Sequence, residues 1–287
     1  MTSKPKVSAT NDELVQRIQE IQQLAKVSGR ERRMVEAVIS LLGWWKPQGH
    51  PILEQDFTSV LYENIIKSRW SMFNTTEQDI ITQYARTLAN ALISTYINPA
   101  LMLNPLSGQR YADDVQYNNF HSIRISSVCY LGMFLKDEDL LDWSYEQLLL
   151  QINNNLNDDG TSFDLEHRDS LGYHVYNVKA LLKAALMLQS HPKYANEVNL
   201  YSHSTKKSNS IKCAIHYLFP YIRGEKIHYM LVNSHLKSDK NSKNYGVIWT
   251  KEDAKWLLYD ASKVDKEALD IYQQVWGVVN KNKPQNS

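Results

Sequence analysis

The sequence predicts an all-α chain, its helical hairpins ranged around a centre as an incomplete (α/α) toroid. Three observations predict it. Apolar residues recur at three- and four-residue intervals through most of the chain, and the two-residue alternation of a strand is almost absent. Short polar connections separate the amphipathic segments, as hairpins packed side by side require. A repeat array of the tetratricopeptide kind would show a fixed period with recurring signature residues, and no such period is visible.

Residues 1–10 read as a flexible tail and 281–287 as another, leaving 11–280 as a single domain. Asn11 caps a helix carried by Leu14, Ile18, Ile21 and Leu24, and a second runs from about Glu31 to Leu42, ending at Gly43. Trp44-Trp45-Lys46-Pro47-Gln48-Gly49-His50-Pro51 is a loop by its Pro and Gly content. Helices follow near 56–70 and 77–97, the latter on Ile80, Tyr84, Leu88, Ala91 and Tyr96. Asn98 to Asp114 is a long connection with two prolines and a glycine, of a length that often carries function. Further helices are expected up to Leu135, over 139–153, over 171–188, and near 209–222, 225–237, 251–260 and 265–279.

The 287 residues, 43% of them hydrophobic, suffice for a sizeable core. With 32 basic and 31 acidic residues the net charge is +1, which gives nucleic acid no global attraction; an anionic ligand must be met by a local cluster. No apolar run approaches the roughly 18–20 residues of a membrane span. Cys129 and Cys213 are too few for a disulfide scaffold and read as buried thiols. His191, His203 and His216 lack partners at metal-ligand spacing, and Glu166-His167 lacks the second histidine of a zinc helix, so neither a metal nor any other cofactor is expected. The N-terminus is polar and without the apolar stretch of a signal peptide. That implies either a cytoplasmic protein or a mature form without its leader, which would be periplasmic or secreted.

The chain is organised around Asp158 to Leu188. Asp158-Asp159-Gly160 is a turn signal, a polar run with Asp164, Glu166, His167, Arg168 and Asp169 follows, and Ser170 caps an amphipathic helix through Leu171, Val175, Val178, Leu182, Ala185 and Leu188. Arg168, Tyr173 and His174 thus crowd into the first turn of one helix, a density of protic side chains that helicity alone does not need.

This segment resembles the alginate-lyase-like polysaccharide lyases, in which a Gly turn, an acidic/Arg segment and a Tyr-His pair open such a helix. Two further blocks share the resemblance. Upstream, Tyr117-Asn118-Asn119-Phe120-His121-Ser122-Ile123-Arg124 is similar to the family's Asn-Asn…His block and is followed by Asp139-Leu140-Leu141-Asp142-Trp143. Downstream stand Tyr221-Ile222-Arg223-Gly224-Glu225-Lys226-Ile227-His228 and Val232-Asn233-Ser234. The likeness covers roughly residues 30–280 and is strongest over 111–240. It implies a helical toroid that cleaves a uronic-acid polymer by β-elimination, with an acidic polysaccharide or oligosaccharide as partner.

β-Elimination at a uronate needs a neutralised carboxylate, a base for the C5 proton and an acid for the leaving glycosidic oxygen. Asn118, Asn119 and Arg168 suit the first; Tyr173, His121 and His174 suit the others. The resemblance adds an Asn/His pair working with a Tyr, and an Arg at the substrate carboxylate. One departure is plain: relatives place His directly after the Asn pair, where this chain has Phe120, and His121 comes one residue later. Adjacent helical positions diverge by about 100°, so the base could instead be His174 or Tyr173, with Tyr176 as a reserve phenol. Arg124, Lys226 and Asn233 are candidate substrate contacts, and Trp44 and Trp45 are either core anchors or a sugar-stacking platform. A glycoside hydrolase using Asp164 and Glu166, and a non-catalytic carbohydrate-binding relative, are the competing readings.

Overall fold

The computed structural model describes residues 7–97, 117–205 and 208–277. The described residues are helical, with two isolated β-bridges, Leu156 to Ser162 and Tyr229 to Ile248, and no named strand. The all-α expectation therefore holds. No helix among the described residues is long and apolar enough to cross a membrane. The connection from Asn98 to Asp114 lies outside the described residues. The chain divides into two compact units, Met1–Gln116 with Ser126–Ser144 and Tyr117–Ile125 with Tyr145–Ser287.

In the first unit, α1 (Val7–Ala25) buries Leu14, Ile18 and Ile21, and α2 (Glu31–Trp44) buries Met34, Val35, Val38, Leu41 and Leu42. The helix expected over 56–70 is built in three pieces: α3 (Pro51–Asp56), a π-helical stretch Phe57–Ile66 and a 3₁₀ stretch Lys67–Met72. The Thr58 and Ser59 hydroxyls both donate to the Gln55 carbonyl at 2.9 Å, competing with the regular backbone ladder where the widening begins. In α4 (Thr75–Ile97) the buried stripe is Ile81, Tyr84, Ala85, Leu88, Ala89 and Leu92, while the expected core residue Ile80 is exposed.

Of the paired tryptophans Trp45 is an anchor of this unit, and Trp44 is half-buried. Trp45 is buried, donates from Nε1 to Glu54 Oε1 at 3.3 Å and packs 6.2 Å from the Phe57 ring. Trp44 has the Arg17 guanidinium 4.4 Å above its ring, which occupies the face a pyranose would need. Burial pushes the Glu54 carboxyl up to about 7 although Gln48 N–H, Trp45 Nε1–H and Gly49 N–H all donate to it. Gly49 is required where it stands: φ is +72°, and a Cβ would collide with the Ala91 carbonyl and Thr95.

In the second unit the central element is α8 (Leu171–Ser190), starting at the expected Ser170 cap, whose Oγ accepts from Tyr173 N at 3.3 Å. It is buried on Leu171, Val175, Val178, Leu181, Leu182, Ala184, Ala185 and Leu188, and also on His174 and Asn177. A polar network locks its interior. Asn177 accepts from Ser122 Oγ at 2.5 Å and donates to Asn155 Oδ1 at 2.5 Å, and Gln151 donates to Asn118 O and Ser122 Oγ, each at 2.9 Å. These residues sit on α5 (Asn119–Leu135) and α6 (Glu138–Asn155), or cap them. The helix expected over 209–222 is split into α9 (Ile211–Tyr217) and α10 (Phe219–Ile222), with Pro220 near the start of the second, where it has no N–H to give. Cys129 is buried as expected, but Cys213 on α9 is only half-buried.

The expected helix over 225–237 is absent. The segment instead forms an irregular strap held by long-range backbone bonds: Met230 N to Val247 O at 2.9 Å, Trp249 N to His228 O at 2.9 Å and Leu231 N to Asp169 O at 2.6 Å. Leu231 sits at φ 70°, which no α-helix accommodates, and Ile227 is 68% exposed. Ile227, Tyr229, Val232 and Leu236 face solvent, and only Met230 and Leu231 are buried. The chain closes with a 3₁₀ turn Lys251–Ala254, α11 (Lys255–Ala261) and α12 (Lys266–Trp276). Asp265 caps α12 through Glu267 N at 2.8 Å, and Gly277 at φ 86° ends it.

Candidate active site

The Asp158–Ser170 segment folds as a sharp corner. Gly160 takes φ +86° with the Cys213 carbonyl 2.6 Å from where a Cβ would stand, and Asp159 accepts from the Thr161 hydroxyl at 2.6 Å and its N–H at 2.9 Å. Ser162 caps the six-residue helix α7 (Phe163–Arg168), accepting from Leu165 N at 3.3 Å. Asp169 then adopts the left-handed conformation at φ 48°, one that Asp tolerates better than most residues, and Ser170 starts α8. Asp169 is held from outside: its carboxylate accepts Asn233 N–H at 2.7 Å, and its carbonyl accepts from Leu231 N and His228 Nε2.

This corner sets Arg168 against Tyr173. The guanidinium donates from Nε and NH2 to the two oxygens of buried Asp239, both at 2.6 Å, a bidentate fork that fixes its plane. Ser234 Oγ donates to the same carboxylate at 2.6 Å. The guanidinium carbon then lies 4.1 Å over the Tyr173 ring. Burial works against the Arg168 charge, but Asp239 and Tyr173 outweigh it and raise the pKa.

Four residues before Arg168, Asp164 is 3% exposed, and its Oδ2 has no hydrogen-bond partner. Burial pushes its carboxyl up to about 7, against hydrogen bonds from the Asn155 side chain and the Asn119 N–H and against the Arg168 charge. Asp164 thus takes the Asn119 N–H and feels the Arg168 charge. The two asparagines divide their work. Asn118 is a helix cap, its Oδ1 accepting Phe120 N–H at 3.0 Å. Asn119, buried in the first turn of α5, has a side-chain amide that makes no hydrogen bond among the described residues. Arg168 and Tyr173 therefore come together, and the Asn119 N–H meets Asp164, four residues before Arg168.

The two nominated histidines have other work. His174 is fully buried. Its Nε2 faces the Ala214 carbonyl at 3.0 Å and so carries the proton, and Nδ1 accepts from Ser162 Oγ at 2.8 Å. Burial pushes it down to about 4, so it is a neutral strut between α8, α9 and the start of α7. His121 lies within regular helix, two positions from Asn119 and on the far side. Its Nδ1 accepts from Arg124 at 3.5 Å and its Nε2 meets Gln147 at 3.2 Å. Burial, then the Arg124 charge, hold it well below the usual histidine range. Arg124 is itself buried beside it.

Tyr176 is half-buried, one helical turn along from Tyr173. Lys226 is exposed, 5.9 Å from the Tyr221 ring, and Asn233 is exposed, its backbone spent on Asp169. The sequence reading missed Asp239, which lies in a polar stretch past the third block, and it named Ser234 and His228 as members of that block and Asp164 as a carboxyl of the competing hydrolase reading. No group of three potential metal ligands occurs among the described residues.

A family model described as alginate lyase matches residues 48–228, well over half of the chain. The chain belongs to the alginate lyase family. The matched stretch takes in the Asn118-Asn119 block, α7 and α8, and ends at His228. Two solved structures of a histidine-to-alanine variant of alginate lyase A1-III are similar, one an apo form and one complexed with tetrasaccharide. The first is 15% identical with a TM-score of 0.45 and covers 87% of this chain and 63% of that one. The second is 14% identical with a TM-score of 0.45 and covers 88% and 62%. The chain thus spans less than two thirds of the length of these alginate lyase structures. No curated protein matches it in a sequence comparison.

Proposed function

We propose that the protein is a polysaccharide lyase that cleaves a uronic-acid polymer of the alginate or glucuronan type by β-elimination. The observation that carries this reading is the Arg168 guanidinium, fixed by Asp239 and stacked on Tyr173. Asn119 and the Arg168 edge not engaged by Asp239 donate to the substrate carboxylate and stabilise the enolate that forms when C5 loses its proton. The Tyr173 hydroxyl, under a fixed cation, is the acid that protonates the leaving O4 as the C4–O4 bond breaks and the C4–C5 double bond forms. No water is consumed. A hydrolase would instead need two carboxyls flanking one bond. Asp164 is buried and Glu166, two residues on in the same helix, is exposed and points away.

Family membership supports the reaction class. The test is incubation with a panel of acidic polysaccharides, followed by ultraviolet absorbance of the unsaturated uronate. Absorbance is expected to rise with at least one polymer and to fall by about 10²–10⁴-fold in Tyr173→Phe. Undiminished activity in that variant removes Tyr173 from the mechanism.

A further inference from the structure

Elimination at a uronate needs a base with an open lone pair, and both histidines that the sequence nominated have their ring nitrogens occupied inside the protein. His228 is different. Its Nε2 lies 3.0 Å from the Asp169 carbonyl, and a carbonyl only accepts, so Nε2 carries the proton of the neutral ring. Nδ1 is then an unprotonated acceptor, and it makes no hydrogen bond to any described residue, while the side chain keeps 15% of its surface exposed.

The ring is fixed from several sides. The Tyr221 ring from α10 meets it edge-on at 6.3 Å, the Asp169 carboxylate stands 3.8 Å from Nε2, and Trp249 N–H binds the His228 carbonyl at 2.9 Å. The carbonyl that sets its tautomer belongs to the residue directly after Arg168. Two residues along the strap, Met230 packs against Ser170 and Gly172 in the first turn of α8, the turn that carries Tyr173. An oriented imidazole with one committed nitrogen and one open one therefore stands against Asp169, the residue that joins Arg168 to the cap of α8.

We propose that His228 is the catalytic base, taking the C5 proton of the uronate through Nδ1. This rests on the lyase reading. The C5–H electron pair passes into the carboxylate-stabilised enolate and then into the C4–C5 double bond. O4 leaves with the C4–O4 electron pair and takes the Tyr173 proton, and the imidazolium then returns its proton to the tyrosinate or to solvent. His167 is the rival imidazole. Its Nδ1 donates to the Phe163 carbonyl at 3.0 Å and its ring stacks on Phe163 at 3.8 Å, on a helical position about 100° from Arg168.

The experiment compares the full chain with its His228→Gly and His167→Gln variants on the polymer it cleaves fastest, with and without added imidazole. His228→Gly is expected to lose about 10²–10⁴-fold in kcat and to regain part of it with imidazole, which a purely structural role would not allow. His167→Gln is expected to keep its rate. A pH profile alone would not decide, because Asp164 titrates near neutrality as well. Nitrogen-15 spectra of the unmutated protein serve as the second readout, independent of whether the glycine variant folds. Nδ1 of His228 is expected to be unprotonated in the neutral ring and to shift when a uronate oligosaccharide binds. Full activity of His228→Gly, loss without imidazole rescue, or a protonated Nδ1 overturns the assignment and leaves the lyase reading standing. An unmutated protein that releases no unsaturated uronate from any polymer overturns the lyase reading itself.

Discussion

Asp239→Asn tests the idea that the Arg168 plane is set from behind. The aspartate is 4% exposed and accepts two guanidinium hydrogen bonds at 2.6 Å and one from Ser234 at 2.6 Å. An amide of the same shape keeps one acceptor, turns an N–H₂ toward a donor and leaves the guanidinium without its counter-charge. Bonds to charged groups contribute about 1.5–3 kcal/mol each, and breaking a buried pair costs about 3–5 kcal/mol. Arg168 keeps 24% of its side-chain surface in solvent, which screens part of this. The expected loss is therefore about 2–3 kcal/mol, a fall in Tm of roughly 3–5 °C for a chain of this size. Thermal unfolding gives the stability, and turnover measured well below the new Tm gives the activity. Turnover is expected to drop at least tenfold, because the guanidinium is released from the Tyr173 ring. A variant that melts with the unmutated protein and turns over at its rate would refute the claim that Asp239 positions Arg168.

Three other outcomes follow from the same geometry. Asp164 has a folded pKa of about 7 against an ordinary 3.8, so the folded chain binds the extra proton between those values and its stability falls as pH rises through that window. Asp164→Asn should therefore be the more stable protein above neutrality, by at most about 4 kcal/mol, with the advantage gone near pH 4; urea unfolding at several pH values reads this, and a gap independent of pH would contradict it. His174→Ala strips the partner from Ser162 and the Ala214 carbonyl and opens a cavity, costing about 2–4 kcal/mol, while kcat per folded molecule is kept; a kcat collapse without destabilisation would return His174 to the chemistry. Gly160→Ala forces a Cβ against the Cys213 carbonyl at positive φ and should cost more than about 1 kcal/mol in chemical denaturation; an unchanged midpoint would show that the corner is not held there.

How much of this was legible in the sequence depended on how local the cause was. The Ser170 cap, α8 and the Gly160 turn are decided within a few residues, and they stand where the pattern placed them. The stacking of Arg168 on Tyr173, five residues apart across that corner, is local in the same way. The strap was misread because Ile227, Met230 and Leu231 fall at helical spacing, whereas the backbone there is held by Asp169 and by the 247–249 segment. Asp239 was invisible for a related reason: its value lies in a fork closed across 71 residues, and nothing around Lys237–Asn241 marks it. The histidines show the limit most clearly. Residue type nominated His121 and His174, but only coordinates reveal which ring nitrogens are already taken.

The central claim is that the chain breaks a uronate polymer without adding water, and the masses of the released oligosaccharides test it most directly. The account predicts fragments whose new non-reducing end is lighter by one water than a hydrolytic end, from the unmutated chain and not from Tyr173→Phe. Fragments carrying the full mass of water at that end, or intact polymer with every uronate offered, would contradict it.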